Sequence, residues 1–293
     1  VDIYLRTRGL DKDYRFAGEA PSEFWWRKYR AWTDTEGPTI LVESDENSWR
    51  AYIAGISSVR RDLSDRPIQF NLALAGPHSP DDPQGRDIAL AVLGRSVADL
   101  ADQGGGSISG KALDEVLPQD VVERMLASPG EETWLSAAAA VRTAYEADVS
   151  VVGELVVREL DDVPPAWAAG VANPRARELF VGFAAALLGG RPGLALVLNL
   201  LANADDAAQV VAGGVTGSGV AVLASRPGSV LDEEVTELAV KKGELPPVSQ
   251  PYQDSRPYQH SRPARTILAV LVTVVVLAAL VILATLTLGL IRI

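Results

Sequence analysis

The sequence predicts an α+β or α/β cytoplasmic body, an N-terminal sheet with a packed helix followed by a mixed α/β region, carried on a single C-terminal transmembrane helix. Three observations predict it. Two segments near the start alternate apolar and polar residues; fully apolar short runs alternate with helical patterns further on; and Thr266–Ile291 runs 26 residues without a charge, a proline, an asparagine or a glutamine.

In the first unit, residues 1–104, Asp2–Arg8 and Ile68–Leu74 carry the period-2 pattern of half-buried strands, and Thr39–Glu43 and Trp49–Ile56 supply two more strands around a polar turn. A helix is expected over Pro83–Gln103, with Asp82 as its N-cap, proline in its first turn and Ala89, Leu93, Val97 and Leu100 as its buried stripe. One helix laid on one sheet face is the economical packing.

Gly104-Gly105-Gly106 ends that helix and opens residues 105–243, which complete the first sheet or form an α/β layer of their own. Helices are expected near Ala112–Leu117, Val121–Ala127 and Pro129–Ala147, the last opening on Ser128-Pro129-Gly130-Glu131 as a capping box. Buried strands are expected at Ser150–Val157, Leu194–Leu201 and Gly219–Ala224. Helices Arg175–Leu188 and Ala204–Ala212 fall between them, and a final amphipathic helix follows Ser229.

Residues 244–265 hold five prolines and few aliphatic side chains, too little apolar surface to fold alone, so a disordered tether is expected. It repeats Tyr252-Gln-Asp-Ser-Arg-Pro257 as Tyr258-Gln-His-Ser-Arg-Pro263, a product of slippage in a tolerant linker or a docking site repeated for avidity. Residues 266–291 would form a helix ~39 Å long at ~1.5 Å per residue, enough to span a ~30 Å hydrocarbon layer with some tilt. Arg256, Arg262 and Arg265 precede it and Arg292 follows, which places the N-terminal body on the cytoplasmic side of the inner membrane. Charges throughout Val1–Ala20 exclude a signal peptide there. The expectation is a tail-anchored, single-pass protein, and 22 Arg against 5 Lys suggest a high-GC bacterial gene.

Composition narrows the chemistry. The chain has no Cys and two His, which excludes disulfide scaffolds, thiolate metal sites and thiol nucleophiles. Residues 1–243 carry 23 Lys and Arg against 36 Asp and Glu, and so acidic a body disfavours nucleic acid. Gly105–Lys111 matches G-x-x-x-x-G-K, yet Ala112 stands where the Mg²⁺-binding hydroxyl belongs, and a helix stop followed by a short strand accounts for the glycines better. Gly213–Gly219 lacks a strand-to-helix context and is expected to turn into the last strand. His78, in a Pro-rich turn, is expected to stabilise that turn or face solvent. The acidic pairs Asp81-Asp82, Asp161-Asp162 and Asp205-Asp206 lack calcium-loop spacing.

These absences point away from catalysis, and no catalytic residue, cofactor or metal ligand is assigned. The segment Phe24–Trp32 interleaves aromatics with cations, and four of the six Trp fall between residues 25 and 49. Its rings either fill the sheet's core, with the cations facing water, or meet a partner protein or the inner membrane surface. Trp25, Trp26, Arg27, Lys28, Arg30 and Trp32 are therefore the candidate partner- or membrane-surface residues of a non-enzymatic adaptor, sensor or regulatory protein. The alternatives are a membrane-tethered hydrolase or nucleotide-binding enzyme using Lys111 or the paired Asp residues, or a membrane-targeting effector of a bacterial defence system.

Overall fold

The sheet direction changes partway across the molecule, and that change organises everything else. The computed structural model describes residues 1–238 apart from 12, 34–36, 79–82, 102–106, 156–164, 202, 213–218 and 227–229. The elements in chain order are β1 (Asp2–Thr7), β2 (Arg15–Phe16), a 3-10 helix (Trp25–Trp32), β3 (Thr39–Ser44), β4 (Ser48–Arg61), β5 (Pro67–Pro77), α1 (Pro83–Ala101), α2 (Ile108–Val116), α3 (Gln119–Ala127) and α4 (Glu131–Leu155). Then come β6 (Ala166–Gly170), α5 (Pro174–Leu188), β7 (Gly193–Leu198), α6 (Ala204–Ala212), β8 (Gly219–Ala224), a short 3-10 turn (Val230–Asp232) and β9 (Thr236–Glu237).

Among the described residues nine strands form one mixed sheet in the order β2-β1-β5-β4-β3-β7-β8-β6-β9. The β1 to β5 half is antiparallel, while β7, β8 and β6 run parallel. The halves join where β3 pairs antiparallel with β7, Ile40 opposite Val197, so strands from residues 1–104 and 105–243 share one ladder. The body is thus a mixed α/β structure built on one large sheet.

Handedness explains the layers. From β6 the chain steps inward past β8 to β7, then back to β8, and right-handed crossovers in opposite directions put their helices on opposite faces. Phe180, Phe183 and Ala184 of α5 accordingly pack with Ala195, Val197, Ala221 and Leu223 on one face. Ala207, Val210 and Val211 of α6 pack with Leu194, Leu196, Val220 and Val222 on the other. Buried on both faces, β7 and β8 read as continuous apolar runs, which is why their sequences announced them.

Helices α1, α2 and α4 also lie on the α5 face, over Ile3, Leu5, Ile53, Phe70 and Leu72. Helix α2 comes so close to β4 that a Cβ on Gly110 would overlap the Ser57 carbonyl oxygen. Replacing Gly110 with alanine must push helix and strand apart. The expected loss is about 1–3 kcal/mol, read as a lower urea midpoint; an unchanged midpoint would show that the contact yields without cost.

Several expectations change. Ser150–Leu155 belongs to α4, not to a strand, because extending a helix that is already nucleated costs little and outweighs the β-branched character of Val149, Val151 and Val152. No short strand follows the triple glycine: Ile108–Val116 is helical, with Ser107 as its N-cap. Ser128 caps the C-terminus of α3 instead of opening α4, whose first turn begins after Gly130, with Trp134 N–H donating to the Gly130 carbonyl at 3.1 Å. Where a final helix was expected after Ser229, the described residues form the 3-10 turn and β9, which covers the β6 edge with Leu238 N–H donating to Ala166 O at 2.9 Å. Strands β2 and β6 and the 3-10 helix Trp25–Trp32 had no counterpart among the expected elements. No helix among the described residues is long and apolar enough to cross a membrane. The tether 244–265, the span 266–291, the Asp82 cap and the Asp161-Asp162 pair lie outside the described residues.

The β4–β5 turn is built on one carboxylate. Asp62, its side chain 1% exposed, accepts from the backbone N–H groups of Ser64 and Arg66 at 2.8 and 2.9 Å and pairs with Arg8 and Arg66. The Arg66 N–H foremost, then that of Ser64 and the Arg66 guanidinium, hold its pKa below the ordinary carboxylate value. A depressed folded pKa means the stabilisation is complete above the unfolded value, about 3.9, and is lost as pH falls through the folded one. Asp62→Asn should therefore lower stability at pH 7 and flatten the acid limb of a pH series of urea midpoints; a parallel acid limb would contradict this.

Candidate functional site

The segment Trp25–Trp32 forms a shelf on the α6 face of the sheet. In a helix of three residues per turn, Trp26, Tyr29 and Trp32 recur on one side, and these rings, with Trp25, pack against Leu41, Tyr52 and Ala73. Trp26 stacks on Tyr52 with centroids 4.2 Å apart and planes 2° from parallel. Trp25 meets Trp26 edge-on at 6.1 Å.

Glu43 of β3 fastens the shelf. The buried Tyr29 hydroxyl donates to Glu43 Oε1 at 2.7 Å, Lys28 pairs with the same oxygen, and Arg50 of β4 pairs with Oε2 at 2.8 Å. Burial first, then the Glu43 charge, pushes the Tyr29 hydroxyl far above its usual pKa, so it remains a proton donor. Arg50 also reaches Glu23 at 2.9 Å, and its guanidinium lies 4.9 Å from the Trp25 ring centre.

The rings therefore join the core, and Arg27 and Arg30 face solvent. Yet Trp25, Trp26 and Trp32 remain partly exposed. Beside Trp25 and Trp26 lies a groove of about 410 Å³, lined also by Tyr4, Trp49, Arg50 and Ala73. Of the candidate residues, the structure brings Trp25 and Trp26 to this groove, turns Lys28 into the Glu43 network and leaves Trp32 at the far end, where its carbonyl accepts from Leu200 N–H at 3.3 Å. Tyr4, Glu43, Trp49 and Arg50 complete the surroundings. They were not singled out from sequence because strand pairing, not spacing, gathers them.

The described part of the G-x-x-x-x-G-K segment, Ser107–Lys111, makes its hydrogen bonds within the protein. At the start of α2 the N–H groups of Ile108 and Ser109 donate to the Asp99 carboxylate at 2.8 and 3.0 Å, and that of Gly110 donates to Ser107 Oγ at 2.8 Å. Lys111 N–H closes the first turn on Ser107 O at 3.1 Å. Among the described residues of the motif, the amides of Ile108 to Lys111 are already used.

A Ser–His contact exists, with the wrong polarity for catalysis. Ser44 Oγ donates to Leu187 O at 2.9 Å and lies 3.1 Å from His78 Nε2, which is 3.0 Å from the Asp45 carbonyl. A carbonyl can only accept, so Nε2 carries the proton and cannot take one from Ser44. His78 N–H also donates to Asn47 O at 3.0 Å, so the residue ties down its turn. Asp205 and Asp206 sit in the first turn of α6, favourably placed against its dipole. Among the described residues no three His, Asp or Glu side chains group so as to hold a metal ion. Comparison with protein-family models, with curated proteins and with solved structures gives no match.

Proposed function

We propose that this is a protein of the inner membrane, held there by a helix over residues 266–291, whose cytoplasmic α/β body acts as a non-enzymatic adaptor, sensor or regulatory component, using the Trp25–Trp32 shelf to hold a protein partner. The observation that carries the reading is the shelf itself. It is fixed to the sheet by Glu43 and by the Trp26–Tyr52 stack, yet leaves three tryptophans partly exposed and Arg27 and Arg30 in solvent. Rigid aromatics beside arginine are the side chains that dominate protein–protein binding energy. The uncharged 26-residue segment Thr266–Ile291 supports the membrane location. A photoreactive residue placed in intact cells at Arg27, Arg30 or Trp32 should yield one discrete protein adduct that the same residue at the exposed Glu178 of α5 does not. Identical adducts from all positions, or none, would contradict the shelf's role.

A further inference from the structure

We propose that the groove beside the shelf takes an arginine- or lysine-bearing extended segment of the partner protein, with the cationic side chain seated among Tyr4, Trp25 and Trp26. The inference rests on the shelf reading above and adds the chemistry of its ligand. The alanines Ala73 and Ala75 keep the β5 side of the groove shallow, and Tyr4, Trp25 and Trp26 contribute rings. Ring faces attract a guanidinium or ammonium group.

Charge decides between a cationic and an anionic occupant. Arg50 is the cationic side chain lining the groove, and its three nitrogens are engaged by Glu43 and Glu23 while its plane covers Trp25. Lys28 is spent on Glu43, and Arg27 lies over the Phe24 ring at 4.5 Å. Against these stand Asp2 and Glu23 in the groove wall, Glu23 with a side chain 75% exposed although one of its oxygens meets Arg50. Tyr4 is surrounded by the same sign: after burial, Asp2 and Glu19 raise its pKa. An anion would face carboxylates with no guanidinium edge to receive it, whereas a cation finds rings below and carboxylates at the rim. The body's own excess of acidic residues adds long-range attraction for a basic segment. The groove runs from the shelf to the ends of β4 and β5, Ser48 and Pro77, so a chain segment and not an isolated ion fills it.

The test uses the full chain in detergent and two fluorescein-labelled synthetic peptides, one alternating proline with arginine and one alternating proline with glutamate, read by anisotropy. The arginine peptide should bind, and the glutamate peptide should not. Trp25→Leu should weaken arginine-peptide binding about 3- to 30-fold, as expected for loss of a cation–ring contact. Asp2→Asn combined with Glu23→Gln should weaken it and reduce its salt dependence, with thermal unfolding confirming that both variants fold. Binding of the glutamate peptide through Arg27 and Arg30 would overturn the inference and leave the shelf reading standing. Binding of neither peptide would overturn the inference too, with in-cell adducts deciding the shelf reading separately. Arginine-peptide binding unchanged by all three substitutions would place the site elsewhere and overturn it as well.

Discussion

Replacing Asp114 with alanine is expected to lower the unfolding free energy by about 3–5 kcal/mol. Asp114 of α2 and Arg60 of β4 form a pair whose side chains are 10% and 8% exposed, with Arg60 Nε 3.1 Å from Oδ1. The same carboxylate accepts from Ser58 Oγ at 2.6 Å and from Val59 N–H at 2.7 Å, so it closes the strand edge where β4 runs past the end of β3. Desolvation lowers the Arg60 pKa, and Asp114 is the main influence opposing it. Alanine would leave a buried guanidinium without its counterion and two donors without acceptors. At roughly 2–4 °C per kcal/mol for a body of this size, the melting temperature should fall by about 6–20 °C. The double variant Arg60→Met, Asp114→Leu should recover most of that loss, since replacing a buried pair by apolar residues is close to neutral. A single-variant loss below about 1 kcal/mol would mean that water reaches the pair.

Trp167→Ala should cost a similar amount, about 3–5 kcal/mol. Trp167 lies on β6 opposite Ala221 of β8 and Glu237 of β9, is fully buried, and packs in the core that holds α5. Its indole nitrogen has no hydrogen-bond partner among the described residues. A phenylalanine in its place would keep most of the ring while removing that N–H, so Trp167→Phe should cost less than about 1.5 kcal/mol. Chemical denaturation of both variants separates packing from polarity. Equal losses would show that the indole N–H, and not the volume, matters at this position.

The same residue marks where local sequence stops being informative. Ala166–Gly170 reads Ala-Trp-Ala-Ala-Gly, too short for a period and rich in alanine, which favours helix over strand. It is a strand because β8 and β9 offer it ladders on both sides. Strand β8 and helix α6 have the expected bounds, and helix α5 begins one residue early, because apolar runs there are delimited by glycine, proline or asparagine. Ser150–Leu155 misled for the opposite reason: β-branched residues that look like a strand follow directly on a helix that simply continues.

At the candidate site, the aromatic segment was visible from its composition. The partners Glu43, Arg50, Tyr52 and Tyr4 were not, because strand pairing brings them together from separate stretches of chain. The phosphate-loop match was set aside because Ala112 lacks the hydroxyl, but the short strand expected in its place is the start of a helix. A carboxylate on the preceding helix, Asp99, accepts from the Ile108 and Ser109 amides at that start, and only the packing of α1 against α2 shows it.

The central claim, a folded body held at the cytoplasmic face of the membrane by residues 266–291, is tested most directly by the location of the full chain and of residues 1–246 in cells. The account predicts that the full chain stays in the membrane pellet through carbonate extraction, and that protease digests its body in inverted vesicles but not in intact spheroplasts. Residues 1–246 should appear in the soluble fraction with a cooperative unfolding transition. Carbonate release of the full chain, or digestion of its body from outside the spheroplast, would contradict the claim.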